Sequence, residues 1–325
     1  MLKIENIFKA YEGKSAAISN INFEVKQGNI VGLAGPSGSG KSTLLKIIAG
    51  LLEPNNGKVW FEGKRVLMPS EKLVAGHDDI KLVFQNNKLF PNQTIKENIE
   101  YYLRRFPKTY IEERSNYLLQ AFKIEHIAYQ IPAQVSGGEL QRAAICTALA
   151  NPPKLLLLDE PFSSLDPILR DELSEIIFDF VKAEEITTIF TDHNSETILA
   201  YSKYIILIPK GIITEQGLPL ELFDKPKFEF SAQFWGYKNI FTAEQLNQLG
   251  IILDEKSNKY LIKEVELLQE KGNWICEKCL FKGNFYEVVF TNSLLQNSKI
   301  TIRNSSKISV DSLNSLIFNK IIAIT

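Results

Sequence analysis

The chain has 325 residues, 37 of them basic and 38 acidic, for a formal net charge of −1. Its 45% hydrophobic and 23% charged content is that of a folded globular protein with room for two domains. The balanced charge excludes nucleic-acid binding driven by bulk positive charge. Three cysteines and an N-terminus without the pattern of a secretory signal set the expectation of a reducing, cytoplasmic setting. No apolar run reaches the about eighteen residues that a membrane span requires, so any membrane role goes through a partner.

In chain order, "MLKIENIFKAYEG" alternates apolar and polar residues like a strand. "NIVGLA" (29–34) is a short apolar strand that ends in a glycine-rich loop, and "KSTLLKIIAGLL" follows it with helical spacing. "KLVFQ" reads as another strand, and helices are predicted over 98–105, 111–122 and 139–150. Then come the strand "LLLLD", a helix from 169 to about 184, the strand "TTIFTD", a short helix over 195–201 and the strand "YIILI". Continuous apolar strands between amphipathic helices predict an α/β fold. Its parallel sheet is covered on both faces, with ligands at the carboxyl ends of the strands. After Gly217 the pattern changes. "LPLELFDKPKFEF" leads away from the α/β core, and alternating runs such as "FYEVVF" and "KITIRN" predict a small antiparallel β domain from about 240 to 325.

The segment "GPSGSGKST" (35–43) fits G-x-x-x-x-G-K-[ST] and lies between a predicted strand and a predicted helix, the context that pattern requires. Its glycines let the backbone turn its N–H groups inward around phosphate oxygens. Gly35, Pro36, Ser37, Gly38, Ser39, Gly40, Lys41, Ser42 and Thr43 are therefore the candidate nucleotide-binding residues. Lys41 would reach the β- and γ-phosphates, the Ser42 hydroxyl would ligate Mg²⁺, and the helix adds its positive end. Further on, "LLLLDEPFSSLD" places Asp159 at the end of a buried strand with Glu160 beside it. Asp159 would hold Mg²⁺, and Glu160 would polarise the attacking water as general base. The expected ligands are a nucleotide and Mg²⁺. A second segment, "QVSGGELQRAAICTALA" (134–150), opens a helix with Ser-Gly-Gly and is also suited to an anion.

These motifs together resemble the nucleotide-binding subunits of ABC transporters, over roughly the first 225 residues. "GPSGSGKST" is similar to the family's Walker A motif, "LLLLDEP" to its Walker B and "VSGGELQR" to its signature motif. "VFQNNKLFPNQTIKENI" resembles its Q-loop region with Gln85 as the glutamine, and "SSLD", ending in Asp166, resembles its D-loop. The resemblance implies that Tyr11 stacks on adenine and that His193 is the switch histidine, a donor to the γ-phosphate. Gln85 would sense metal or water, and Asp166 would join the nucleotide-contacting set. Ser136, Gly137 and Gly138 would close over the ATP held by a second copy of the chain, in a head-to-tail homodimer that shares two sites. Departures are Val135 for leucine, Glu139-Leu140 where Gln-Gln is frequent, and "TDHN" around His193 where "THD" is commoner in importers.

The resemblance implies a P-loop NTPase domain over 1–228, with a helical subdomain at about 87–152, then a linker over 229–240 and an OB-like β-rich domain over 241–325. Importers for sugars, polyamines, ferric iron or oxyanions carry such a domain. The expected function is the ATPase subunit of an importer, on the cytoplasmic face of the membrane. It would work with transmembrane permease subunits and, through them, a solute-binding protein. Two alternatives stay open: an exporter ATPase of the lipopolysaccharide type, since "TDHN" occurs there too, and a non-transport ABC switch. Cys276 and Cys279 form a lone C-x-x-C, two of the four ligands of a structural zinc. Ferric iron, a polyamine or an inorganic anion is favoured over sugar as the solute.

Overall fold

The structure, a computed structural model, describes residues 1–13, 15–84, 89–163, 165–251, 257–268, 272–292, 299–310 and 312–325. The chain divides into two compact units, Met1–Pro219 and Leu220–Thr325.

The alternation at the N-terminus is that of a pleated strand. β1 (Leu2–Ala10) buries Leu2, Ile4 and Ile7 and pairs antiparallel with β2 (Ala16–Val25). β3 (Ile30–Ala34) is buried throughout and runs into the glycine-rich loop, after which α1 (Lys41–Ile48) begins. β4 (Asn56–Phe61) and β5 (Lys64–Arg65) complete a four-stranded sheet in the order β2-β1-β4-β5. That sheet is an addition to the single parallel sheet expected from the sequence. Its strands alternate, whereas the central strands β3, β7 and β8 of the parallel sheet are buried along their whole length.

Next come β6 (Ile80–Val83), α2 (Ile95–Tyr101), α3 (Lys108–Ala121), α4 (Gly137–Leu149), β7 (Leu155–Leu158), α5 (Pro167–Ala183) and β8 (Thr187–Asp192). α6 (Ser195–Tyr201), β9 (Tyr204–Leu207) and β10 (Glu215–Gly217) follow. The second sheet runs β10-β9-β3-β8-β7-β6, parallel except for the β10–β9 pair. β3, β7 and β8 therefore end on the same edge, and their carboxyl ends carry the candidate residues. One core joins the two sheets through α1: Ile4, Ile21 and Val59, then Leu44 and Ile48, then Leu33 and Leu157. Each such side chain, fully buried, contributes about 1.5–3 kcal/mol.

Helix starts follow capping chemistry. Thr94 caps α2, Ser136 caps α4, Asp166 caps α5 and Asn194 caps α6, each accepting backbone N–H bonds from the first turn. At the other end of α4, buried Arg114 donates to the Leu149 and Ala150 carbonyls at 3.1 and 3.4 Å and pairs with Glu184 at 3.3 Å. It thereby satisfies acceptors that the helix leaves open.

The second unit holds α7 (Pro219–Asp224), which starts at its boundary, α8 (Glu229–Phe234), β11 (Ile240–Thr242) and α9 (Ala243–Gln248). β12 (Lys259–Leu268), β13 (Trp274–Phe281), β14 (Tyr286–Thr291), β15 (Lys299–Asn304) and β16 (Leu313–Ile324) complete it. These strands form one antiparallel sheet in the order β11-β12-β16-β13-β14-β15 around Phe241, Tyr260, Cys276, Val288, Phe290 and Ile300. The segment 229–240, expected to be a linker, is folded: α8 buries Ser231 and Ala232. Its end, Asn239, is 8% exposed and donates to Thr301 O at 2.9 Å while accepting from Thr301 N at 2.8 Å. One side-chain amide thus stands in for a strand neighbour at the β15 edge, while its backbone carbonyl accepts from Ile262 N at 2.9 Å.

Candidate functional site

The loop after β3 is seated by close contact. A Cβ at Gly35 would meet Ile208 O at 2.1 Å, and one at Gly40 would meet Ala17 O at 2.4 Å. Gly40 also has φ +92°, a conformation that L side chains rarely adopt. Lys41, 3% exposed, donates to the carbonyls of Gly35 and Pro36 at 2.8 and 3.0 Å and lies 3.9 Å from Glu160 Oε1. Burial lowers its ammonium from the ordinary lysine value, against the pull of Glu160 and Asp159.

From Lys41 the site continues across the strand ends. Ser42 Oγ donates to Asp159 Oδ1 at 2.9 Å, and Thr191 Oγ1 donates to the same oxygen at 3.2 Å. The Glu160 backbone N–H donates to Thr191 Oγ1 at 2.8 Å. Thr191 therefore ties the end of β8 to both carboxylate residues after β7, a role that sequence reading missed. Glu160 has φ +51°, a left-handed backbone unusual for a side chain of its size and a mark of stored local strain. His193 Nε2 sits 2.6 Å from Glu160 Oε1. The hydroxyl of Ser42 beside the carboxylate of Asp159 is a pair of hard oxygen donors, the chemistry that suits Mg²⁺.

Tyr11 is 42% exposed, its hydroxyl 3.4 Å from Thr43 Oγ1 and Lys9 Nζ 5.6 Å from its ring centre. It stands beside the loop with aromatic surface available to a flat ligand. Gln85 lies outside the described residues, and its expected part in the site is untouched by this geometry.

The second anion-suited segment is an N-cap. Ser136 accepts from Glu139 N at 3.4 Å, while Glu139 Oε2 accepts from Ser136 N at 2.9 Å and from Ser136 Oγ at 2.6 Å. His126 Nε2 lies 2.7 Å from Glu139 Oε1. The Ser136 hydroxyl and backbone N–H, and then His126, hold the Glu139 carboxyl down at about 2. A Cβ at Gly137 would meet nothing within 4 Å, so the approach to this helix end is open. One turn along, the Gln141 side chain donates to Pro161 O, beside Glu160. Asp166 accepts from Ile168 N and Leu169 N at 3.0 and 3.1 Å, its oxygen committed to capping α5.

Around 89–106 the surface is aromatic. Phe90 packs on Tyr101 with ring centres 4.7 Å apart, and Phe90, Tyr101 and Tyr102 are 37–50% exposed. Buried Asn98 pins this turn by donating to the Phe90, Gln93 and Thr94 carbonyls and accepting from Phe90 N at 2.7 Å. A cavity of about 230 Å³ lies alongside, lined by Leu82, Leu89, Tyr102 and Thr147 among others. No helix among the described residues is long and apolar enough to cross a membrane.

A family model described as ABC transporter matches residues 18–163. The sulfate/thiosulfate import ATP-binding protein CysA of Mesostigma viride is 38% identical over 278 residues, 84% of this chain and 76% of its own. The spermidine/putrescine import ATP-binding protein PotA of Borrelia garinii subsp. bavariensis is 33% identical over 326 residues, 93% of each chain. Among solved structures, the post-hydrolysis dimer of the ATP-binding cassette MJ0796, bound to ADP and Pi, aligns with a TM-score of 0.59 at 29% identity. The alignment covers 67% of this chain and 99% of that one. With a glycine-rich loop, a carboxylate pair and a histidine set on the ends of one parallel sheet, and with these relatives, this chain belongs to the ABC transporter family, among its importer-type ATP-binding, ATP-hydrolysing subunits.

Proposed function

We propose that the chain binds Mg-ATP in the loop 35–43, pairs head to tail with a second copy, and hydrolyses ATP to drive a separate membrane permease. The observation that carries this reading is the continuous run of contacts from Ser42 through Asp159 and Thr191 to Glu160, and from Glu160 to His193. Loop N–H groups and Lys41 bind the β- and γ-phosphates, and Tyr11 stacks on the adenine. Ser42 and Asp159 would hold Mg²⁺, with Gln85 proposed as a further ligand, and the ion would offset phosphate charge. A water oxygen attacks the γ-phosphorus, Glu160 accepts its proton, and the bond from that phosphorus to the β,γ-bridging oxygen breaks. His193, held on Glu160, donates to the γ-phosphate and keeps the carboxylate in place. Ser136, with the N–H groups of Gly137 and Gly138, contacts the γ-phosphate bound to the second copy, and Asp166 lies at the same junction. Loss of the γ-phosphate opens the dimer, a ligand-controlled population shift.

A Glu160→Gln variant tests the assignment. It should bind ATP, hydrolyse it very slowly and accumulate as a dimer in size-exclusion chromatography with light scattering. Normal turnover would remove Glu160 as the base.

The solute class is proposed to be a polyamine, because the polyamine-importer relative aligns over 93% of both chains and so includes the second unit. The CysA relative, more identical but over less of this chain, keeps sulfate as the second reading. ATPase stimulation of the purified complex by spermidine and its binding protein, set against sulfate with its own, decides between them.

A further inference from the structure

Two of the four residues in "TDHN" already have partners in the site: Thr191 braces Asp159 and Glu160, and His193 meets Glu160. The residues flanking His193 form two consecutive side-chain-to-backbone turns. Asp192 Oδ1 accepts from Asn194 N at 2.8 Å, two residues on. Asn194 Oδ1 in turn accepts from Glu196 N and Thr197 N at 2.7 and 3.2 Å, starting α6. Such Asx devices fix the backbone path of the residue between them. His193, whose side chain is 43% exposed, has little packing of its own to hold it.

Asp192 is costly where it stands. It is 8% exposed, its Oδ2 is buried without a hydrogen-bond partner among the described residues, and burial pushes its carboxyl above the usual range. A neutral asparagine would make the same turn without burying a charge. The balancing charge is Arg170, in the first turn of α5, whose Nε is likewise buried without a partner among the described residues. α5 packs on β8 through Phe178 and Phe190, ring centres 4.7 Å apart, and it leaves from the carboxyl end of β7, which lies parallel to β8. Its N-terminal turn therefore lies toward the end of β8 that carries Asp192. Arg170 pulls the carboxyl down, against burial.

We infer that Asp192 is a positioning residue for His193, with Arg170 as its countercharge: the pair sets the turn that presents the imidazole to Glu160 and links it to the helix that Asp166 caps. The inference rests on the reading of His193 given under Proposed function. It assigns chemistry to the two residues but no contact with ATP.

The test is a double-mutant cycle on full-length protein, reading ATP affinity with a fluorescent nucleotide and kcat by phosphate release. His193→Ala and Asp192→Ala should each lower kcat by about tenfold or more and leave affinity within about twofold. In the His193→Ala background, Asp192→Ala should cost nothing further, because both act through one group. Asp192→Asn, which keeps the Oδ1 acceptor, should recover most of kcat, and Arg170→Gln should lower kcat only when His193 is present. A further loss from Asp192→Ala in the His193→Ala background, or wild-type kcat in Asp192→Ala, overturns the inference while leaving the function intact. Wild-type kcat in His193→Ala overturns the role of His193 itself, and the inference with it. Should Asp192→Ala not fold, the Arg170→Gln arm of the cycle decides the question in the same way.

Discussion

Thr191 carries no proposed contact with the nucleotide, yet its hydroxyl is shared between the Glu160 N–H and Asp159 Oδ1, at 2.8 and 3.2 Å. Thr191→Val keeps shape and burial and removes only that bridge. It should lower kcat about tenfold, the scale for losing a group that orients a ligand residue, and cost about 1–3 kcal/mol of stability for the partners it leaves unpaired. Ser136→Ala should leave nucleotide binding by Lys41 intact, weaken ATP-dependent dimerisation and lower hydrolysis about 10²-fold, as for loss of one preorganised donor. Fluorescent-nucleotide titration and light scattering separate those effects. Asp192 makes a stability prediction as well. Its carboxyl is raised in the folded state, so the native protein holds that proton more tightly than the unfolded chain. Stability then falls as pH rises from the unfolded value of 3.8 through the folded one, and the penalty is complete above it. Asp192→Asn escapes the penalty. Its melting temperature should match wild type at the acid end of that window and exceed it at neutral pH.

At the scale of elements, the aromatic turn before α2 is the surface we propose for contact with the permease. Leu89 lines the cavity of about 230 Å³, and Phe90 is 39% exposed against Tyr101. Charged replacements of Leu89 and Phe90 should abolish transport in proteoliposomes while the free subunit keeps its ATPase rate. Unchanged transport would remove this surface from consideration. In the second unit, Asn239→Ala would leave the Thr301 N–H and C=O without their partner, costing about 1–3 kcal/mol by chemical denaturation. These elements also show where sequence reading stops. The loop 35–43 and the pair Asp159-Glu160 were legible because their chemistry is local: glycines, a lysine and carboxylates at fixed spacing after an apolar strand. Thr191 was not, because its value comes from a strand 31–32 residues away in sequence from its partners. Nor was the sheet β2-β1-β4-β5, whose β4 returns to β1 after the whole of α1. The segment 229–240 passed for a linker because its aromatics carry no clear period, although tertiary contacts fold it.

For the whole molecule, the proposed shared sites give a test that no single-copy arrangement passes. A chain with Lys41→Ala and a chain with Ser136→Ala should each be nearly inactive. Mixed together, they form dimers in which one site carries both defects and the other carries neither, so hydrolysis should reappear. Mixing that restores nothing would mean that each copy completes its own site. The seating of the phosphate loop has a consequence for synthesis. The loop motif is nine residues long, but its seat is made by Ala17 on one side and Ile208 on the other. A nascent chain that has passed residue 43 and not yet residue 208 carries the motif without the receptacle. Stalled chains released before Ile208 should therefore ignore ATP, and nucleotide capture should begin only when the ribosome has released β9 and the residue beyond it.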